Sequence, residues 1–237
     1  MRREAEGRLA RLKDFDQRDM HRLIPTSYPA ESVIETLSLP ANVIRDLTEL
    51  DAATNERKIA GRGGNVAITP GELLCGVPEA HIVNAAFTHA GPWGGRFNDP
   101  RRGAWYAGVE LETSIDEVAF HKRRFLRDSR IRDRIAFDYA DFLADFSGQF
   151  HFLDDSERQQ CLQAEPIPQC YGPSQTLANA LLYSGSSGVV YSSVRHQAGT
   201  CIASFRPALV FHPRRGKRLR IAVAASNNKV ESSEIAF

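Results

Sequence analysis

Apolar residues from Pro29 to Lys58 recur at three- and four-residue steps: Val33, Ile34 and Leu37, then Val43, Ile44, Leu47 and Leu50. That is the period of a helix with one buried face, and Pro40 divides it into two helices. Upstream, residues 1–18 are charged, with Leu9 and Leu12 as the large apolar pair before Phe15. This spacing predicts a short amphipathic helical arm. His21-Arg-Leu-Ile-Pro25 reads as an edge strand ended by its proline. Gly61-Arg-Gly-Gly64 is a flexible break whose backbone can approach an anion, or a plain loop.

Downstream the pattern changes. Residues 81–87, HisIleValAsnAlaAlaPhe, suit a buried strand or the end of a helix equally. Residues 91–100 hold three glycines and two prolines, which favours turns. Residues 104–108 read as a strand. Residues 111–121 read as a helix, because Leu111, Ile115 and Val118 line one side. Alternation at Ile135, Phe137 and Tyr139 predicts another strand. Ser174 is placed to cap a helix that Gly185 closes. Residues 188–193, 200–205 and 219–224 are strand-like. Helices come first, then a strand-rich body with helices between, which predicts an α+β fold rather than a doubly wound parallel sheet. The expected organisation is a helical N-terminal extension, 1–78, and a catalytic body, 79–237.

Composition narrows the function. The chain has 237 residues, 42% hydrophobic and 25% charged, enough for a packed core. Its net charge of +1 gives no overall pull toward nucleic acid or an anionic membrane. No apolar run approaches the roughly 18–20 residues of a membrane span. The charged start lacks the apolar stretch of an export signal. Four scattered cysteines without a CxxC pair argue against a zinc knuckle or a disulfide framework. Together these features predict a cytoplasmic protein. The phosphate-binding P-loop, HExxH, GxSxG and GxGxxG patterns are all missing, and the histidines lack metal-ligand spacing, so no metal is expected.

One constellation remains. Arg96 lies in the glycine-rich loop, ten residues before Tyr106, and Glu117 follows eleven residues after Tyr106. Further on comes Gly188-Val-Val-Tyr191-Ser-Ser193-Val-Arg195-His196. A guanidinium in a flexible loop can fork onto a phosphate or carboxylate. Tyr106 offers a flat ring for stacking. A fixed carboxylate such as Glu117 lowers the barrier to a transition state that gains positive charge. Ser193 can hydrogen-bond a carboxamide or ribose. Tyr191 and Arg195 flank it. Each residue also has a plain alternative. Arg96 can cap a carbonyl or pair with Asp99, Tyr106 can be core, Glu117 can be a solvated helix residue beside His121, and Ser192 can replace Ser193 by a one-residue shift. His121 and His89 read as packing or surface residues.

In order and spacing, GlyGlyArg96PheAsn, TrpTyr106AlaGly, the helix with Glu117 and GlyValValTyrSerSer193 resemble the RES-domain family, named for its Arg, Glu and Ser. The resemblance covers roughly residues 80–210. HisArgLeuIlePro and ThrAsnGluArg57 look most like the ParT-type branch. The resemblance implies an ADP-ribosyltransferase-like mixed β core with flanking helices, and NAD⁺ as substrate rather than retained cofactor. It implies a toxin of a bacterial toxin–antitoxin pair, with an Xre-type antitoxin as partner and a host protein as ADP-ribose acceptor. Release of ADP-ribose to water or phosphate is the alternative within the family.

Two basic stretches keep a different reading open. Residues 121–134 hold seven Lys/Arg against two Asp, and 212–220 hold five more. Such clusters bind nucleic-acid phosphates, dock an acidic protein, or are solvated surface. A non-enzymatic nucleic-acid-binding module is therefore the rival from another class.

Overall fold

The computed structural model describes residues 12–26 and 68–236. The two helices expected within 29–58 and the glycine break at 61–64 lie outside the described residues. The described elements are β1 (Leu12–Pro25), α1 (Ala80–Thr88), β2 (Trp105–Gly108), α2 (Leu111–Asp128) and β3 (Ile135–Phe152). These are followed by α3 (Asp155–Cys161), α4 (Gly172–Tyr183), β4 (Gly188–Ser192), β5 (Thr200–Ser204), β6 (Phe211–Val223) and β7 (Val230–Ile235).

The strands form one seven-stranded sheet in the order β1-β2-β5-β4-β3-β6-β7. Strand β1 also pairs with β3, so β1, β2, β5, β4 and β3 close a ring, with β6 and β7 continuing from β3. Pairing is antiparallel except for β3 with β4, which meet only at His151–Val189 and Phe152–Val190. The fold is α+β, as the order of elements predicts.

The helical arm is corrected. Residues 12–25 form a strand that pairs with β3 from Leu12–His151 to Pro25–Tyr139, with a bulge between Gln17 and Met20. Residues 1–11 of the expected arm lie outside the described residues, and the described stretch 68–78 carries a short 3-10 turn at Pro70–Glu72. Nor is His21–Pro25 an edge, since it lies between β2 and β3. The backbone ladder and the burial of Met20 and Leu23 outweigh the local charge pattern that suggested a helix. The ambiguous segment 81–87 is helical, buried through Ile82, Val83 and Phe87. Helix α4 starts two residues earlier than its expected cap. Ser174 is fully buried inside the first turn, where its hydroxyl donates to the Tyr171 carbonyl at 3.0 Å. Gly185, at φ +84°, follows the helix as expected.

Three apolar clusters hold this frame. Phe87, Trp105, Phe142, Phe146 and Phe150 fill one. Phe97, Leu181, Val189 and Phe205 fill a second, beneath α4. The third packs Ile115, Ala119 and Leu126 of α2 on Leu23, Tyr139 and Ile221. It fixes α2 across the sheet, and so aims the polar face of that helix along the ends of β1, β2 and β4.

Candidate functional site

A cavity of about 440 Å³ opens between α2, the loop before β2, and strands β1 and β2. Its walls carry four arginines, Arg22, Arg96, Arg124 and Arg195, with Glu117 as the acid among them. Tyr106, Tyr171, Tyr191 and Trp93 supply aromatic surface. The structure therefore brings Arg96, Tyr106, Glu117, Tyr191 and Arg195 to one hollow.

Glu117 stands on α2, on the side turned from the apolar stripe. Burial pushes its carboxyl above the ordinary range, and the hydrogen bond from Ser193 and the charges of Arg195 and Arg96 oppose that push without cancelling it. Ser193 donates to Glu117 Oε1 at 2.7 Å. The Ser193 oxygen also accepts the N–H groups of Arg195 and His196, at 3.1 and 3.0 Å. Its single hydrogen is thereby directed at the carboxylate. Ser193 is not among the residues lining this cavity, and its hydroxyl meets Glu117. Ser192, the neighbour that a register shift would substitute, is exposed.

Arg96 is 8% exposed. Its Nη1 donates to the carbonyls of Cys161 and Gln163, at 2.7 and 2.9 Å, and its guanidinium lies 5.0 Å from the Tyr171 ring centre. It does cap carbonyls, but Asp99 pairs with Arg101 instead, at 2.6 Å. Among the described residues, Arg96 Nη2 and Nε find no acceptor, which leaves half of the fork for a ligand. Tyr106 spends its phenol on the loop: it donates to Asn98 Oδ1 and accepts from Phe97 N–H, each at 2.8 Å. Burial pushes that phenol well up, so it stays protonated. Its ring is a fixed wall. Tyr191 packs 4.7 Å from Phe97, centre to centre, and is likewise held protonated by burial. Arg195 lies 3.3 Å over the Phe120 ring and donates to the Ala164 carbonyl at 2.7 Å.

Sequence reasoning missed several lining residues. Arg22, in a segment read only as a strand, sits 4.8 Å from the Trp105 ring centre and donates to the Tyr106 carbonyl at 3.2 Å. Its Nε is buried without a hydrogen-bond partner among the described residues. Burial lowers its pKa to about 10, so it remains a cation at neutral pH. The available signal was an arginine followed by Leu23 and Ile24, with no acid two residues away on either side. His121, read as packing or surface, follows Glu117 by one turn and lines the cavity. Crowding by the protein, with the charges of Arg195, Arg124 and Arg96, pushes its imidazole down to about 4.

The second basic stretch is largely neutralised. Arg214 pairs with Asp145, Arg215 with Glu79, Lys217 with Glu234 and Arg220 with Asp138, at 2.7–2.9 Å. In the first stretch, Arg124 bonds to Asp128, Arg127 to Glu165 and Arg134 to Glu231. Charges already paired this way release few counterions on meeting nucleic acid, which weakens that rival.

Within this α+β ring one carboxylate is set among four cleft-lining arginines, an arrangement that can hold an anionic ligand beside an acid. The RES domain matches residues 73–223, more than half of the chain. The chain belongs to the RES-domain family. No curated protein matches it. Among solved structures, it is similar to the M. tuberculosis MbcT–MbcA toxin–antitoxin complex. The TM-score is 0.43 and the identity 10%, over 93% of this chain and 92% of that one.

Proposed function

We propose that this chain is the toxin of a bacterial toxin–antitoxin pair, cleaving NAD⁺ at the nicotinamide–ribose bond and passing ADP-ribose to a host protein. The observation that carries the reading is Glu117, held by Ser193 in a partly buried, arginine-lined hollow. RES-family membership supports it.

The chemistry follows from the charges. A dinucleotide brings a pyrophosphate, which suits the free donors of Arg96 and the buried cation of Arg22. As the bond from ribose C1′ to the pyridinium nitrogen breaks, its electron pair leaves with neutral nicotinamide. Positive charge grows on the sugar ring. A carboxylate already fixed and partly removed from water stabilises that charge without reorganising. An acceptor then bonds to C1′ and loses its proton. Tyr106, Tyr191 and Tyr171 form flat walls against which the pyridine ring can lie. Ser193 acts by holding Glu117. No step requires a metal.

The reaction belongs in the cytoplasm, where an Xre-type antitoxin would have to restrain it by covering the cleft. Exposure of a cell lysate to the purified chain and labelled NAD⁺ tests the acceptor. A labelled protein is expected. Label confined to ADP-ribose or its phosphate ester would make the chain a glycohydrolase or phosphorylase. Intact NAD⁺ would remove the reading altogether.

A further inference from the structure

We infer that Trp93 is the stacking platform for the adenine end of the dinucleotide, an inference that rests on NAD⁺ as the ligand of this cleft. Trp93 is 66% exposed, yet it lines the cavity. An aromatic side chain that is both exposed and part of a cavity wall supplies the flat apolar surface with which ligand pockets are lined.

Its backbone is pinned. Gln175 Nε2, from α4, donates to the carbonyls of Trp93 and Gly95, both at 2.9 Å. Gly94 N–H donates to the Gly91 carbonyl and Gly95 N–H to that of Asn98, both at 2.9 Å. Gly94, at φ +69°, leaves no room for a side chain: a Cβ there would lie 2.2 Å from the Asn98 carbonyl oxygen. The indole is thus exposed on a fixed loop, three residues before Arg96.

Position selects which end of the ligand it meets. Glu117 marks where the nicotinamide ribose must sit, and Arg96 and Arg22 mark the phosphates. The cavity of about 440 Å³ is at the small end of the roughly 300–1,000 Å³ typical of ligand pockets. A dinucleotide carries a base and ribose at each end, and only one of those ends can sit against Glu117. The other base must lie outside, at the mouth, where Trp93 stands. A purine has the flat face that an indole binds, with no need for hydrogen-bond readout.

The chain has two tryptophans, and the other, Trp105, is fully buried. Both emit, so the part of a fluorescence change that is lost in Trp93→Ala reports Trp93. Titration with AMP should quench the parent and leave Trp93→Ala unchanged, whereas nicotinamide mononucleotide should quench neither. In steady-state nicotinamide release, Trp93→Ala should raise KM for NAD⁺ about tenfold, with a much smaller change in kcat. Trp93→Phe, which keeps a ring, should restore most of the affinity. If AMP leaves the parent's fluorescence unchanged, the inference is overturned. It is also overturned if Trp93→Ala loses protein labelling while KM for NAD⁺ holds, since the indole would then meet the acceptor. AMP quenching without nicotinamide release would keep the adenine platform and reject NAD⁺ cleavage.

Discussion

Ser193 reaches a residue 76 positions away in the chain, donating its hydroxyl hydrogen to Glu117 Oε1 at 2.7 Å. Two backbone N–H groups fix the same hydroxyl from behind. Ser193→Ala removes the donor and leaves a partly buried carboxylate less satisfied. A hydrogen bond to a charged group contributes about 1.5–3 kcal/mol, so kcat should fall about 10- to 100-fold. The Glu117 carboxyl should also climb further, moving the acidic limb of the pH–rate profile to higher pH. A loss of activity with an unmoved limb would mean that Ser193 does not position Glu117.

Stability gives an independent reading of the same carboxyl. Burial raises its folded pKa above the ordinary value, so the native state binds more protons than the unfolded chain in that window. Stability therefore falls as pH rises through it. Glu117→Gln removes the penalty. Its Tm should equal or exceed the parent's at pH 7, and the difference should shrink as pH falls below the ordinary carboxylate range. Thermal melts across pH 3.5–8 check this, with ~4 as the lower reference point.

Asp145 behaves in the opposite sense. Burial raises its pKa, but the Asp19 N–H, Arg214 and His212 outweigh that and hold it at about 2. Its contribution is present above the unfolded value of 3.8 and is lost as pH falls through about 2. Asp145→Asn should cost about 1–2 kcal/mol at pH 7. Chemical denaturation should find that cost shrinking below pH ~4. A constant cost down to pH ~2 would show that the charge is not responsible.

Gly95 carries a steric prediction. A Cβ there would lie 2.6 Å from Asn98 Oδ1 and 2.7 Å from the Tyr106 hydroxyl. Gly95→Ala should break the Tyr106–Asn98 hydrogen bond and tilt the ring. Ligand affinity should fall while the fold survives, as judged by circular dichroism alongside nucleotide binding.

Much of the site was legible in sequence because its parts lie on short, locally determined elements. Glycines and prolines announce the loop holding Arg96, and apolar spacing sets Glu117 off the core face of α2. Alternation along a single strand does not reveal that β1 closes the ring. That requires the β1–β3 ladder, whose register is fixed by pairing far along the chain. Arg22 was missed for the same reason, since only the closed ring carries it to the cleft. The role of Ser193 was also hidden. No local signal shows that the turn after β4 directs its one hydrogen to Glu117.

The central claim is that the Glu117 charge stabilises a sugar cation as nicotinamide departs. The direct measurement is nicotinamide released from NAD⁺ by the parent and by Glu117→Gln, which keeps the shape and removes the charge. The account predicts release by the parent and a fall of about 100- to 1,000-fold in the variant. Equal rates from the two proteins would contradict it.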